Sequence, residues 1–234
     1  MAPLERIQKV VSNQGLLSRK ETEAALVAGY IRVNGVVVTE LGTRVDTDRD
    51  HITIDPAFSR RKKTYIAFHK PRGIVTNLPQ AGEQEIKDLL PEKLKSLSAI
   101  GRLDKESEGL ILLSDDGVFA KKILQPDDLP HEREYLVRID RPLTEDMKHQ
   151  LETGVQLLST VSKPTTVIPV STVTFRIIMV EGKNRQIRRM LQCLGARVVF
   201  LKRIRFHSII LGALAEGDYR HLTRKEQHDL GDSL

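Results

Sequence analysis

The 234-residue sequence has a single cysteine, Cys193, and no long apolar run. One cysteine excludes an intrachain disulfide and cannot supply the thiolate cluster of a structural zinc site. No segment approaches the roughly 18 apolar residues of a membrane-spanning helix, and residues 1–6 are not followed by the apolar stretch of a signal peptide. We therefore expect a protein of the reducing cytoplasm with no membrane association.

Motifs that hold nucleotide cofactors or metal ions are also missing. The sequence has no GxxxxGK[ST] loop and no GxGxxG after a strand, so it predicts no phosphate cradle. Its seven histidines show no HExxH pairing, and no serine lies in a GxSxG elbow. We expect no cofactor and no metal, which leaves carboxylates as the candidates for catalysis.

The N-terminal residues predict a small helix-helix-hairpin module. Apolar residues recur at helical spacing over 4–11, and Ser18 with Glu21 forms a capping box for a second helix that Gly29 ends. Asn34-Gly35 joins two β-rich runs and favours a type I′ turn. We predict a domain at 1–58 and a linker at 59–64, where the basic run RRKK lies.

The remainder, residues 65–234, alternates strand-like and helix-like segments without strict βαβ order. Strands are predicted at 65–68, 73–76, 110–113, 134–139, 174–180 and 198–206, and helices at 118–124, at 144–153 and after a capping box of Thr223 and Glu226. The sequence thus predicts an α+β protein whose larger domain has a mixed, largely antiparallel sheet flanked by helices.

The net charge of +6 is concentrated in one stretch, residues 183–205, that contains no Asp or Glu. A dense basic block indicates a partner with a phosphate backbone, and a solvated charged face is the other interpretation. The eight basic residues of this stretch are Lys183, Arg185, Arg188, Arg189, Arg197, Lys202, Arg203 and Arg205.

The N-terminal module carries basic residues in an unusual place. Arg19 and Lys20 occupy the first turn of the second predicted helix, where the helix dipole favours acidic side chains. Together with Arg6 and Lys9 on the first helix, they are predicted to form a basic face for RNA. Scattered surface charge is the alternative.

Asp104 has the most unusual surroundings of the carboxylates. It lies in GRLDKESEGL (101–110), directly before an apolar strand, with cations beside it and glycines on either side. Such a carboxylate is predicted to lie at the edge of a sheet and to act as a base or nucleophile. A turn residue bonded to its own backbone is the alternative.

The segment EGKNRQIRRM (181–190) predicts a helix with one apolar face. Arg188 falls on the flank of that face, where it can turn into a cleft and pair with a carboxylate, whereas Arg185 and Arg189 are expected to point outward to phosphates. Cys193 lies close to the apolar face and is expected to be a small buried side chain.

Three motifs carry a family resemblance. GRLD with GL (101–110), EREYLV (132–137) and GKNRQIRRM (182–190) resemble, in order and spacing, bacterial pseudouridine synthases that modify ribosomal RNA. Among these, the chain is similar to the RsuA/RluB/RluE/RluF group, whose N-terminal S4 domain fits the predicted module. Within that group it most resembles the RluF and RluB types, which modify RNA of the large ribosomal particle.

The resemblance implies a role for each motif. Asp104 would be the catalytic aspartate, Arg188 its basic partner and Tyr135 the ring that stacks on the target uracil. Leu201 would line the pocket and Arg102 would assist base flipping. Three roles remain open for Asp104, namely attack at C1′, attack at C6 and removal of a ribose proton.

The resemblance also implies the substrate, ribosomal RNA with 23S preferred, and we expect a monomer. Two other functions fit parts of the sequence. A non-catalytic S4-type ribosome factor would share the N-terminal module but would not need Asp104, Tyr135 and Arg188 together. A pseudouridine synthase for 16S rRNA or transfer RNA would share all of the chemistry.

Overall fold

The computed structural model describes residues 4–59, 63–124 and 131–232. The chain divides into two compact units, of which the first comprises residues 1–64 and 114–122 and the second comprises 65–113 and 123–234. Half of the predicted linker, residues 60–62, lies outside the described residues. Within the described ranges, no helix is both long enough and apolar enough to cross a membrane.

The first unit has the predicted helices and hairpin. Ser18 and Glu21 form a reciprocal capping box, and Asn34 and Gly35 both have positive φ, as a type I′ turn requires. The helices and strands of the unit pack on a small apolar core that includes Ile7, Leu26 and Ile31. Its helices and strands are β1 (Glu5–Arg6), α1 (Ile7–Asn13), α2 (Arg19–Val27), β2 (Ile31–Val33), β3 (Val36–Val37), β4 (Arg44–Val45), β5 (Ile52–Ile54) and α3 (Pro56–Ser59).

The second unit is built on a sheet of nine described strands. These are β6 (Tyr65–Lys70), β7 (Ser98–Ile100), β8 (Glu108–Ser114), β9 (Arg133–Ile139), β10 (Thr166–Pro169), β11 (Thr174–Met179), β12 (Val198–Phe206), β13 (Ile209–Ile210) and β14 (Tyr219–His221). The helices of the chain after β8 are α4 (Gly117–Leu124), α5 (Glu145–Thr153), α6 (Gln186–Cys193) and α7 (Arg224–Asp232). Two 3₁₀ turns, Ile86–Leu89 and Glu92–Leu94, lie between β6 and β7.

Three central strands determine where the functional side chains lie. The main sheet has the order β10-β11-β9-β12-β8-β6-β14, in which β12 is parallel to β8 and antiparallel to β9. Arg203 of β12 is in register with Gly109 of β8 on one side and with Tyr135 of β9 on the other. The loop before β8, which contains Asp104, therefore ends beside the middle of β12.

The predicted fold class is confirmed: the chain is α+β, with a mixed sheet and flanking helices. One predicted strand is wrong. Residues 73–76 form a turn with a single bridge from Val75 to Glu85, because Thr76 bonds to Leu103 in the loop before β8 instead of joining a ladder.

Candidate active site

One cavity of the second unit brings the three sequence motifs together. Its volume is about 380 Å³, within the range of small-molecule sites. Residues 101–107 form one wall, residues 182–188 form another, and Tyr135 and Leu201 come from the neighbouring strands β9 and β12. The predicted site residues that line it are Arg102, Asp104, Tyr135, Lys183, Arg185, Arg188 and Leu201.

The base of the cavity is apolar. Tyr135 is 8% exposed and Leu201 is 7% exposed, and both belong to the large core of the unit together with Leu103, Met179 and Ile187. Asp104, by contrast, retains 31% of its side-chain exposure. A planar group that enters would therefore meet a ring and aliphatic carbons below and a carboxylate at the side.

The backbone before Asp104 is fixed by a buried threonine. Thr76 Oγ1 donates to the Leu103 carbonyl at 2.7 Å and accepts from the Leu103 amide at 3.0 Å. The turn after Asp104 is closed by the Ser107 amide, which donates to the Asp104 carbonyl at 3.0 Å. The turn thus uses the backbone oxygen of Asp104 and leaves its carboxylate to face the cavity.

Arg185, rather than Arg188, makes the ion pair with Asp104. Arg185 Nη1 lies 3.8 Å from Asp104 Oδ2, while Arg185 Nη2 donates to Glu106 Oε2 at 3.1 Å. The expectation that Arg185 points outward is wrong, because this residue has φ 48° at the N-terminal end of α6 and its side chain turns back into the cavity. A left-handed conformation costs a non-glycine residue about 1 kcal/mol.

Arg188 is bonded around the same loop. Its Nη2 donates to the Glu106 carbonyl at 3.1 Å and to Ser107 Oγ at 3.4 Å, and its Nη1 lies 3.8 Å from the Glu106 carboxylate. Burial lowers the pKa of the Arg188 guanidinium, and the nearby Glu106 and Asp104 carboxylates act in the opposite direction. Arg188 therefore lies beside the aspartate loop as predicted, but its bonds are with Glu106 and Ser107.

Lys70, the last residue of β6, is fully buried behind the Asp104 loop. Its Nζ donates to the carbonyls of Pro71 and Ser107, both at 2.8 Å. Burial lowers the pKa of Lys70 from 10.5 to about 8, against the attraction of Asp104, Glu108 and Glu216. A lysine at a strand end gives no sequence signal of burial, because its long chain usually reaches solvent.

We predict that Lys70 makes stability depend on pH in the alkaline range. Since the folded pKa of about 8 lies below the ordinary 10.5, the unfolded chain binds a proton in this window that the folded chain does not. Wild-type stability should therefore rise, relative to Lys70→Met, by up to about 3 kcal/mol as the pH increases from 8 to 10.5. Urea unfolding of both proteins across this range measures the effect, and a pH-independent difference would contradict it.

The basic stretch at 183–205 is less exposed and less positive than its sequence indicates. Arg203 is buried, and its Nε donates to the Leu110 carbonyl at 2.6 Å. The basic residues of this stretch pair with acidic residues of other segments. One reason is that β12 lies between β8, which carries Glu108, and β9, which carries Glu134. Besides Arg185–Asp104, the ion pairs are Lys183–Glu181, Arg185–Glu106, Arg188–Glu106, Arg197–Asp140, Lys202–Glu108 and Arg205 with Glu132 and Glu134.

Arg189 and Cys193 of α6 are both exposed to solvent. Arg189 is exposed, as expected for a phosphate contact, and does not line the cavity. Cys193 is exposed, so the expectation of a buried thiol is wrong: Ile187, Met190 and Leu191 fill the buried face of the helix.

The first unit has a separate groove of about 460 Å³, lined by four basic residues and by the acidic residues Glu5 and Glu23. Arg6, Lys9 and Arg19 line this groove together with Arg44, which the sequence did not indicate. Lys20, the fourth predicted RNA-binding residue, is exposed but does not line it. Among the described residues, no three His, Cys, Asp or Glu side chains form a group that could hold a metal ion.

Comparison with known proteins agrees with this geometry. The family model described as RNA pseudouridylate synthase matches residues 64–193, more than half of the chain, and the S4 domain model matches residues 5–50. A solved structure described as a pseudouridylate synthase superposes with a TM-score of 0.73 at 26% identity, covering 96% of this chain and 99% of that one.

Two curated relatives match over nearly the full length. The dual-specificity RNA pseudouridine synthase RluF of Escherichia coli K12 is 35% identical over 96% of this chain and 78% of its own length. The ribosomal large subunit pseudouridine synthase B of Bacillus subtilis is 32% identical, covering 95% of this chain and 94% of that protein. The chain therefore belongs to the RNA pseudouridylate synthase family, with an S4 domain at its N-terminal end.

Proposed function

We propose that the enzyme isomerises a specific uridine of 23S ribosomal RNA to pseudouridine, with Asp104 as the catalytic carboxylate. The observation that carries this proposal is the joint presence of Asp104, Tyr135 and Arg188, from three separate motifs, on one cavity. A purely RNA-binding S4 protein would have no use for that cavity. The name of the Bacillus subtilis relative, a ribosomal large subunit synthase, supports 23S RNA as the substrate.

The reaction breaks the bond between C1′ and N1, rotates the uracil and joins C1′ to C5. N1 gains a proton and C5 loses one, so no atom is lost overall and no redox partner is required. A carboxylate beside the ribose can serve each of the roles that the chemistry requires, as nucleophile or as base. Asp104 has the necessary exposure, and its turn does not occupy its side chain.

A uridine within structured RNA must leave its stack to reach this carboxylate. The buried ring of Tyr135 and the side chain of Leu201 form an apolar surface against which a flipped uracil can pack. Arg102, exposed on the wall of the cavity, is suited to occupy the vacated position in the RNA. Arg185 orients the Asp104 carboxylate, a role that is supported by the 3.8 Å ion pair between the two side chains.

We assign RNA binding outside the cavity to the S4 domain, with boundaries at 1–58 and the catalytic domain at 65–234. Arg6, Lys9 and Arg19 surround the groove of this unit and supply positive charge to a phosphate backbone. We further propose that the protein acts in the cytoplasm as a monomer, with ribosomal RNA as its partner. Lys183 and Arg189 would add phosphate contacts beside the active site.

The groove assignment predicts different effects for two neighbouring residues. Arg19→Gln should lower the magnitude of the salt slope of RNA binding by about 0.7–0.9, which corresponds to one lost phosphate contact. Lys20→Gln, which removes the same charge next to the groove rather than within it, should change the slope much less. Filter binding of transcribed 23S rRNA over a KCl series makes the comparison, and equal slopes for the two variants would contradict the assignment.

The substrate is tested by pseudouridine mapping. Total RNA from cells with and without the gene is mapped, and the purified enzyme is then incubated with 23S, 16S and transfer RNA transcripts. We expect one or a few 23S positions to lose pseudouridine in the deletion strain and to regain it in vitro. Modification confined to 16S or transfer RNA would overturn the substrate, and no modification at all would overturn catalysis.

A further inference from the structure

A second cavity of the same unit lies against the active site. Its volume is about 630 Å³, and it shares Arg185 and Arg188 with the first cavity. Arg72 and Arg197 add two further guanidinium groups to its lining, and Glu106 contributes a carboxylate. Four arginines and one glutamate line this cavity, and one positive charge remains in surplus after Asp104, which pairs with Arg185, and Asp140, which pairs with Arg197, are also counted.

Glu106 partly neutralises this site in the free protein. Its Oε2 lies 3.1 Å from Arg185 Nη2 and 3.8 Å from Arg188 Nη1. The hydrogen bond from Arg185, together with the charges of Arg185, Arg188 and Arg72, lowers the pKa of the Glu106 carboxyl. Glu106 remains 53% exposed, so another anion can reach the same guanidinium groups from the solvent side.

Two hydrogen bonds to backbone carbonyls join the segments that carry these residues. The Gly73 amide donates to the Lys105 carbonyl at 2.7 Å, which ties the turn that carries Arg72 to the loop that carries Glu106. Arg188 Nη1 donates to the Val198 carbonyl at 3.3 Å, which ties α6 to the start of β12 next to Arg197. The arginines thus come from three different segments around one opening, with Arg185 and Arg188 both at the start of α6, and this arrangement favours a ligand with several anionic oxygens.

We propose that this second cavity binds a backbone phosphodiester next to the target uridine, and that Glu106 is the internal counterion which the phosphodiester displaces. The inference rests on the proposed function, because a uridine held in the first cavity carries a phosphate on each side of its ribose. Arginine forms paired, charge-assisted hydrogen bonds with phosphate as well as with carboxylate, so a phosphodiester can replace Glu106 at the same guanidinium groups. The shared Arg185 then connects the two cavities, since it contacts Glu106 in one and Asp104 in the other.

The test uses two arginines that bond to the same aspartate. Arg197 Nε lies 3.7 Å and Arg141 Nε lies 3.4 Å from the carboxylate of Asp140, but only Arg197 lines the second cavity. Both side chains are more than half exposed, so neither substitution disturbs the core. A comparison of RNA binding by the Arg197→Gln and Arg141→Gln variants therefore distinguishes the loss of a cavity contact from a general loss of positive charge.

The full-length proteins are compared by filter binding of transcribed 23S rRNA over a KCl series. Arg197→Gln and Arg72→Gln should each lower the magnitude of the salt slope by about 0.7–0.9, whereas Arg141→Gln should leave it unchanged. Glu106→Gln should bind the RNA several-fold more tightly and with a steeper slope, because it frees Arg185 and Arg188 for the phosphate. Matching slopes for Arg197→Gln and Arg141→Gln, or weaker binding by Glu106→Gln, would overturn the proposal.

A parallel assay of pseudouridine formation separates this proposal from the proposed function. If the wild type forms pseudouridine in 23S rRNA while the Arg197→Gln and Arg141→Gln slopes match, the phosphate site is wrong and the function stands. If the slopes differ as expected but no pseudouridine forms, the site is supported as an RNA contact and the proposed reaction fails.

Discussion

Asp104→Asn is expected to abolish isomerisation while RNA binding remains nearly intact. An amide keeps the shape of the side chain but cannot act as a base or as an effective nucleophile. Loss of such a group typically lowers the rate by at least about 10²–10⁴-fold. Binding should persist because the basic residues of both cavities and of the S4 groove are unchanged. Removal of one negative charge near Arg185 could only favour RNA.

Single-turnover formation of pseudouridine in 23S rRNA, run beside filter binding, measures both effects. Asp146→Asn is a suitable control, since it removes one negative charge from the first turn of α5 without contact with the cavity. If Asp104 were only a turn residue, Asn would replace it well, because Asn is itself a good turn former. Substantial product from the Asn variant would therefore refute the catalytic assignment.

Local signals in the sequence predicted local structure well. The capping boxes at Ser18 and Thr223 and the turn at Asn34-Gly35 all form, because each depends on residues within four positions of one another. The strand that follows Asp104 was predicted from its continuous apolar run, and its burial on both sides explains that composition.

Long-range charge pairing could not be predicted in the same way. The stretch 183–205 has no acid of its own, yet Arg205 pairs with Glu132 and Glu134 of the neighbouring segment and Lys202 pairs with Glu108. These partners are set by strand register, which the sequence alone did not provide. The structure therefore reduces the free positive charge of this stretch, and four of its basic residues, Lys183, Arg185, Arg188 and Arg197, line the two adjoining cavities.

The pairing of Arg185 with Asp104 was missed for a related reason. Helical periodicity placed Arg185 on the outer side of α6, but this residue precedes the helix and has a left-handed backbone. The N-terminal position of a helix usually holds Ser, Thr, Asp or Asn, so an arginine there gives no signal of its conformation. Such a conformation at a cavity wall is typical of functional sites, where packing compensates local strain.

Gly109→Ala is expected to destabilise the second unit strongly. Gly109 has φ 110° and lies in β8 directly opposite Arg203 of β12. A Cβ at this position would lie 2.3 Å from the Arg203 carbonyl oxygen and 2.6 Å from its amide nitrogen. Both neighbours are backbone atoms of a central strand, so neither can rotate away. Conformational strain should cost about 1–3 kcal/mol and overpacking about 1–3 kcal/mol. Together they predict that the free energy of unfolding falls by about 4 kcal/mol.

Gly73→Ala provides the matched control for this loss. Gly73 also has a positive φ, 89°, but a Cβ there would meet no atom within 4 Å. Gly73→Ala should therefore lower the free energy of unfolding only by the strain component, about 1–2 kcal/mol. Urea unfolding of the two variants compares the free energies, and equal losses would show that the close approach of β8 to β12 is not what requires glycine at 109. If the approach does require it, Gly109→Ala should also reduce turnover in the fraction that folds. The displaced Arg203 is in register with Tyr135, and β8 begins directly after the loop that holds Asp104.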